Sequence, residues 1–373
     1  MLILSGCAPW NPHIVLENPS DCDRDEIVEI PFSDINAGLQ PNEMGIFDSF
    51  GAPVPFQLTS DSLIIFRAKL NAHSSSSFSI MKGINPVGDT LACGRLYPEH
   101  NDDVAWENDR IAFRAFGPAP SHTEEMDFGY DVWVKNVSRP VVRERYSQAT
   151  DSLGAHKDCN NGCDCYSSGP TLGCGATAII SDGAIVYPPC YYKYELLDNG
   201  PLRFKTKLTL RPKLIDNRYV EETRIITLDA GSQLNKTEVS FSNVTSNKHI
   251  IAGLAIHDMD PSTHFADLNR RFIAHADPTS DTLKTHGTIF TSVLFPLPAD
   301  SLTIIKMDNI EANARETYGH IAAHATYVPE TTFTYYWGAA WSEYGISTME
   351  DWIKYLKEKT ECIDHPIIVH IER

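Results

Sequence analysis

Short segments rich in β-branched and aromatic residues recur along the whole chain with turn-forming residues between them, and this pattern constrains the fold more than any other feature. Such segments are Ile27 to Phe32, Ser62 to Leu70, Arg110 to Phe116, Tyr130 to Val137, Leu202 to Leu210 and Glu222 to Leu228. Several alternate polar and apolar residues, as in Arg203-Phe204-Lys205-Thr206-Lys207-Leu208-Thr209-Leu210, the period of a half-buried antiparallel strand. Asp182-Gly183, Asn199-Gly200-Pro201 and Asp229-Ala230-Gly231 are turn signals at hairpin spacing. The mode continues through Thr332 to Trp337, so the expected class is all-β, a large antiparallel β-sandwich. One segment reads as helical, Thr348 to Thr360, with Trp352, Tyr355 and Leu356 along one face and Ser347 with Glu350 as a capping box. It predicts a single C-terminal helix braced on a sheet.

At 373 residues the chain is long enough for one large sheet protein or two domains. The expected division is a residual signal and tether over 1–13, a first group of strands over 14–84 and a main sandwich over 85–373. A net charge of −18 repels a phosphate backbone and an anionic lipid surface, which excludes nucleic acid as a partner. No apolar run approaches the roughly 18 to 20 residues that span a bilayer. The opening Met1-Leu2-Ile3-Leu4-Ser5-Gly6-Cys7 reads as the end of an apolar signal region and a lipobox, although it carries no charged leader. This predicts an exported chain, a periplasmic or outer-membrane lipoprotein held by lipid on Cys7 and not by a membrane span. Eight cysteines then remain, an even number suited to disulfides.

Three segments concentrate polar chemistry. In His156-Lys157-Asp158-Cys159-Asn160-Asn161-Gly162-Cys163-Asp164-Cys165-Tyr166 the cysteines suit either a structural disulfide or a thiolate zinc site. The disulfide reading places at least two of Cys159, Cys163 and Cys165 in disulfides. His156, Asp158, Asp164 and Tyr166 are then left for a divalent metal, zinc or calcium, or for acid–base work. In Trp106-Glu107-Asn108-Asp109-Arg110 an indole stands ahead of a polar cluster, which suits a sugar: the indole covers the C–H face and the polar groups take hydroxyls. The alternative is a buried indole beside a solvated acidic turn. Tyr335 to Ser342, with Trp337 and Trp341, lines a groove or forms the core of a last strand. His257 and Asp258 follow the apolar run Ile250 to Ile256 and project either into a concave face or into a satisfied structural contact. No nucleophile elbow, zinc helix, phosphate loop or dinucleotide fingerprint is present.

The strings Tyr97-Pro98-Glu99, Asp102-Asp103, Ala105 to Arg114 and Gly117-Pro118-Ala119 resemble the exported domain-of-unknown-function family numbered 4861. So do Asp131 to Lys135, Gly169 to Gly175, Leu228 to Ser232 and Tyr336 to Trp341, and the resemblance covers the chain from about Ile14 onward. It implies a galactose-mutarotase-like sandwich, similar also to the C-terminal sheets of polysaccharide lyases, in proteins that accompany polysaccharide degradation. It further implies that His156, Asp158 and Asp164 match an acidic and histidine set in the family. Cys159, Cys163 and Cys165 depart from that pattern.

The expected substrate is an oligosaccharide or polysaccharide, and the expected chemistry at a uronic acid is β-elimination, by a lyase that expels a sugar or a dehydratase that expels water. Arg110, or a metal on His156 and Asp158, would neutralise the carboxylate, while Tyr166 and His257 would act as acid and base. Trp106, Glu107, Asn108, Asp109, Trp337 and Trp341 would bind substrate. Two alternatives stand beside this reading. One is a glycoside hydrolase using Glu107 and Asp109, roughly 7 Å apart on one face of a strand. The other is a non-catalytic binder with Trp106, Trp337 and Trp341 as its stacking platform.

Overall fold

The computed structural model describes residues 12–36, 38–118, 128–148, 160–278 and 286–372. The chain divides into two compact units, one made of 1–90, 200–202 and 361–373 and the other of 91–199 and 203–360. In the first unit a five-stranded sheet runs in the order Ile368–Glu372, His13–Glu17, Ser75–Lys82, Met44–Asp48, Pro53–Val54. A three-stranded sheet, Arg24–Pro31, Leu63–Leu70, Phe56–Leu58, accompanies it. Ile14 and Leu16 alternate with exposed His13 and Glu17, and they join Val28, Ile30, Ile64, Phe66 and Ile80 in one apolar core. The two-residue period therefore decides which side chains are inside.

The second unit carries the candidate site. A five-stranded antiparallel sheet runs Ala184–Val186, Cys174–Ser181, Lys248–Ile256, Gly319–Tyr327, Ser301–Lys306. A nine-stranded sheet runs Tyr191–Asn199, Arg203–Leu210, Arg218–Asp229, Leu234–Ser242, Phe333–Trp341, Thr288–Leu294, Phe272–Pro278, His264–Ala266, with Lys213–Ile215 beside Arg218–Asp229. A four-stranded sheet, Tyr130–Trp133, Ala112–Ala115, Asp103–Asn108, Ala92–Tyr97, completes the unit. Side chains from all three sheets share one core, so the expected antiparallel β-sandwich is what forms. Asp182 and Gly183 both take positive φ, 51° and 78°, the geometry that a tight hairpin needs and that Gly accepts without strain.

The core is centred on Trp337. Its ring lies parallel to Tyr130 at 4.0 Å between centroids and meets Phe113 edge-on at 5.0 Å, while its Nε1 donates to Thr237 Oγ1 at 2.7 Å. Trp337→Ala is expected to lower stability by about 3 to 5 kcal/mol, because the neighbouring rings cannot collapse into so large a void. Urea denaturation checks this, and a loss below about 1 kcal/mol would contradict the packing argument.

The last helix spans Met349–Asp364, with Trp352 and Leu356 buried as expected. Its cap is one residue later than the sequence reading placed it: Thr348 Oγ1 accepts from Asp351 N at 3.1 Å and donates to Asp351 Oδ2 at 2.7 Å. Three short helices, Phe32–Ile35, Val142–Gln148 and Asn309–Arg315, were not anticipated. Helices of four to seven residues leave too few turns for an apolar stripe to show. No described helix is long and apolar enough to cross a membrane.

Candidate functional site

The sugar platform expected around Trp106 is absent, because that segment is interior. Strand Asp103–Asn108 is buried at every residue. Trp106 is fully buried, stacks on Phe204 at 5.8 Å and donates from Nε1 to Asn235 Oδ1 at 2.8 Å. Glu107 is bound by Lys135 Nζ at 2.6 Å and by the amides of Val141 and Val142, both at 2.8 Å. Asn108 orders two turns, donating to the carbonyls of Asp229 and Ser232 and accepting from the amides of Arg110 and Ile111. Asp109 accepts from Gly231 N at 2.6 Å, and Arg110 sits 3.8 Å from the Asp109 carboxylate. Trp337 is fully buried, and Trp341 is 7% exposed with its indole N–H on the His286 carbonyl. The hydrolase pair Glu107 and Asp109 and the stacking platform Trp106, Trp337 and Trp341 are therefore corrected to structural roles. A buried indole has no open face for a sugar, and the Glu107 carboxylate is already taken by Lys135 and two backbone amides.

His156, Asp158 and Cys159 lie outside the described residues. Asp164, the third expected metal ligand, is 3.5 Å from Arg114 and buried within that residue's ion-pair cluster. Among the described residues no three His, Cys, Asp or Glu side chains are grouped to hold a metal. Cys165 and Cys174 are buried thiols and not disulfide ends. The hydrogen bond with Cys163, followed by burial, pushes the Cys165 thiol well above its ordinary range. The expected disulfide thus does not form at Cys165.

What the fold does bring together is Tyr166 and His257. Tyr166 comes from the loop ahead of strand Cys174–Ser181, and His257 follows directly on strand Lys248–Ile256, which pairs with Cys174–Ser181. The two rings meet edge to face at 5.8 Å. His257 Nδ1 is 2.6 Å from Asp277 Oδ2, and the same oxygen lies 3.4 Å from His275 Nε2. His275 Nδ1 in turn faces the Thr263 carbonyl at 3.2 Å. No described residue hydrogen-bonds His257 Nε2, so the bond to Asp277 sets the tautomer and leaves Nε2 as the nitrogen that can take up a proton. The Tyr166 hydroxyl is buried and has no hydrogen-bond partner among the described residues.

Electrostatics separates these groups. Burial works against a charged His257, yet Asp277 outweighs it and raises the imidazole above its ordinary range. Burial likewise works against the Asp277 carboxylate, which His257 and His275 hold below its usual range. Tyr166 is pushed well up by burial and then by Asp277, Cys174 and Asp131. It stays a phenol. His320, fully buried, is pushed down to about 3 by burial, Arg315 and His257, and its Nε2 accepts from Leu172 N at 3.2 Å. A second network adjoins: Arg114 contacts Asp131 at 2.6 Å, Asp164 at 3.5 Å and Asp103 at 3.6 Å. Burial raises both Asp103 and Asp164, and against its own burial Arg114 is held well above its ordinary range by Asp131, Asp164 and Asp103, so this guanidinium is occupied within its own cluster.

These shifts predict a pH window for stability. A raised His257 contributes fully below about pH 6.5 and loses its contribution as pH rises through the higher folded value. A depressed Asp277 contributes fully above about pH 3.9 and loses its contribution as pH falls through the lower folded value. The stability difference between wild type and His257→Gln should therefore be greatest near pH 5 to 6 and shrink towards pH 9, as read by urea titrations across pH. A difference independent of pH would show that the pair is not ionic.

Sequence reasoning reached Tyr166 and His257 but missed Asp277 and His275. Their signal was present: His275 and Asp277 are two residues apart in strand Phe272–Pro278 and share one face.

The unit is an all-β body of three sheets that brings Tyr166, His257, Asp277 and His275 together. The chain belongs to the family described as Domain of unknown function (DUF4861), whose model matches residues 16–369. It is 24% identical over 395 residues to "Uncharacterized protein P7" of Formosa agariphila, across 99% of this chain and 96% of that protein. Among solved structures it is similar to an alpha-mannosidase from Enterococcus faecalis V583, with a TM-score of 0.52, 10% identity and 97% of this chain covered. It is also similar to a protein in Glycosyl Hydrolase Family 38 from Enterococcus faecalis, with a TM-score of 0.53, 11% identity and the same 97% coverage. The chain spans about half of those two structures, 46% and 47% of their lengths, and the likeness is one of fold.

Proposed function

We propose that this protein is a carbohydrate-active enzyme that cleaves or dehydrates uronic-acid-containing oligosaccharides by β-elimination. The observation that carries the reading is the contact between Tyr166 and a His257 whose far nitrogen is held by Asp277. An elimination needs a base for the C5 proton and an acid for the oxygen leaving C4. His257 Nε2, made more basic by Asp277, takes the C5 proton; the C4–O bond breaks as the C4–C5 double bond forms, and the Tyr166 phenol protonates the departing oxygen. The proton on His257 then returns to the tyrosine oxygen through solvent, which restores both groups. The solved structures of similar fold carry names of sugar-cleaving enzymes, which agrees with a carbohydrate substrate.

A screen of uronate-containing oligosaccharides tests the reaction class. A new ultraviolet absorbance from the conjugated double bond is the expected result. New reducing ends without that band would instead mean hydrolysis, and neither signal would leave a binder.

We further propose that the protein works outside the cytoplasm as a lipoprotein, on the strength of Leu4-Ser5-Gly6-Cys7. With a full leader present, Cys7→Ser is expected to move the protein from the membrane fraction to the soluble one. Retention in the membrane fraction would overturn the proposal.

A further inference from the structure

On the five-stranded sheet of the second unit two histidines converge away from the Tyr166 and His257 pair. His249 lies opposite Thr326, and His324 opposite Ile251, on the paired strands Lys248–Ile256 and Gly319–Tyr327. Thr326 and His324 are two residues apart, so His249 and His324 are diagonal neighbours on one face. Their rings are 4.9 Å apart, and His249 Nε2 is 2.7 Å from His324 Nδ1. On the next strand, Ser301–Lys306, Thr303 Oγ1 is 2.6 Å from His324 Nε2. His249 is exposed and His324 half-buried, so the pair is open to ions from solvent.

We infer that His249 and His324 form a bidentate site for a divalent transition metal of the nickel or copper class. Two imidazole nitrogens at this distance must share a proton or a cation. Thr303 stands at the far nitrogen of His324, where its hydroxyl can accept the ring N–H that remains once the near nitrogen holds a metal. Imidazole nitrogen binds nickel and copper more tightly than the earlier divalent ions of the series, which is why the inference names that class. Binding requires the rings to turn from head-on to convergent and the proton between them to leave. Both changes are open to a surface side chain. Asp300 adds a carboxylate to the neighbourhood, its Oδ2 accepting from Thr326 Oγ1 at 2.8 Å. Water completes the remaining positions.

Calorimetric titration of the full chain with nickel chloride, in buffer free of chelators, tests the site. One saturable equivalent is expected in the wild type, absent in His249→Ala and in His324→Ala. Thr303→Val should keep the equivalent with about 10- to 100-fold weaker affinity, as loss of the hydrogen-bond partner behind a metal-bound histidine does. Thermal unfolding of each variant reports whether it folds, and His324→Asn stands in if the alanine variant does not. Absence of nickel binding in the wild type, or an equivalent that survives in both histidine variants, would overturn the inference. Neither result bears on the elimination reading, whose residues are elsewhere on the chain.

Discussion

Replacing His257 with Ala is expected to reduce turnover of a uronate substrate by about 10²- to 10⁴-fold, the range for loss of a positioned general base. Tyr166→Phe should fall in the same range, since it removes only the hydroxyl that donates to the leaving oxygen. Asp277→Asn keeps the shape of the site but removes the charge that raises His257. It should lower kcat and move the acidic limb of the rate profile to lower pH. These outcomes are read as kcat/KM against pH, with circular dichroism to establish the fold. Full activity in His257→Ala or Tyr166→Phe would remove that residue from the mechanism. A fall in kcat with an unmoved pH profile in Asp277→Asn would show that the carboxylate does not tune the base.

The second large effect is expected where the sequence had suggested a substrate-binding group. Lys135 is fully buried, and its ammonium donates to Glu107 Oε2 at 2.6 Å, to the Asn108 carbonyl at 2.7 Å and to the Arg139 carbonyl at 2.9 Å. Lys135→Met leaves the Glu107 carboxylate in the interior without its counter-charge. The expected loss is about 3 to 5 kcal/mol, because one stranded buried charge costs far more than a surface pair. Urea denaturation should show a lowered midpoint. The double variant Lys135→Met with Glu107→Gln should recover part of the loss, since it removes the charge that was left alone. A single variant as stable as wild type would mean that Glu107 reaches water.

The two halves of the candidate site were unequally legible. Tyr166 stood out because it closes a dense run of functional side chains, and His257 because it ends a recognisable apolar segment. Asp277 was harder to find, because the chain separates it from His257 by twenty residues and only the 2.6 Å bond shows that they meet. The cluster at Trp106 misled for the opposite reason. An indole followed by Glu, Asn, Asp and Arg has the composition of a sugar site, and it has the same composition when the polar groups cap turns and hold a buried lysine. Local sequence carries no information about which of these partners arrives from 30 or 130 residues away.

Sequence by itself determined the strand class and the hairpins. The two-residue period of Arg203–Leu210 and the Asp182-Gly183 turn act through local backbone sterics and the burial of alternate side chains, and neither needs a distant partner. The tertiary structure alone decided the environment of each polar side chain. Glu107 became a structural anion because Lys135 and two amides converge on it, and Trp106 became core because Phe204 covers one face and Asn235 takes its N–H. His257 acquired its basicity from a carboxylate on another strand. Burial and charge act through space over a few ångströms, so their effect on a side chain is set by sheet packing and not by its neighbours along the chain.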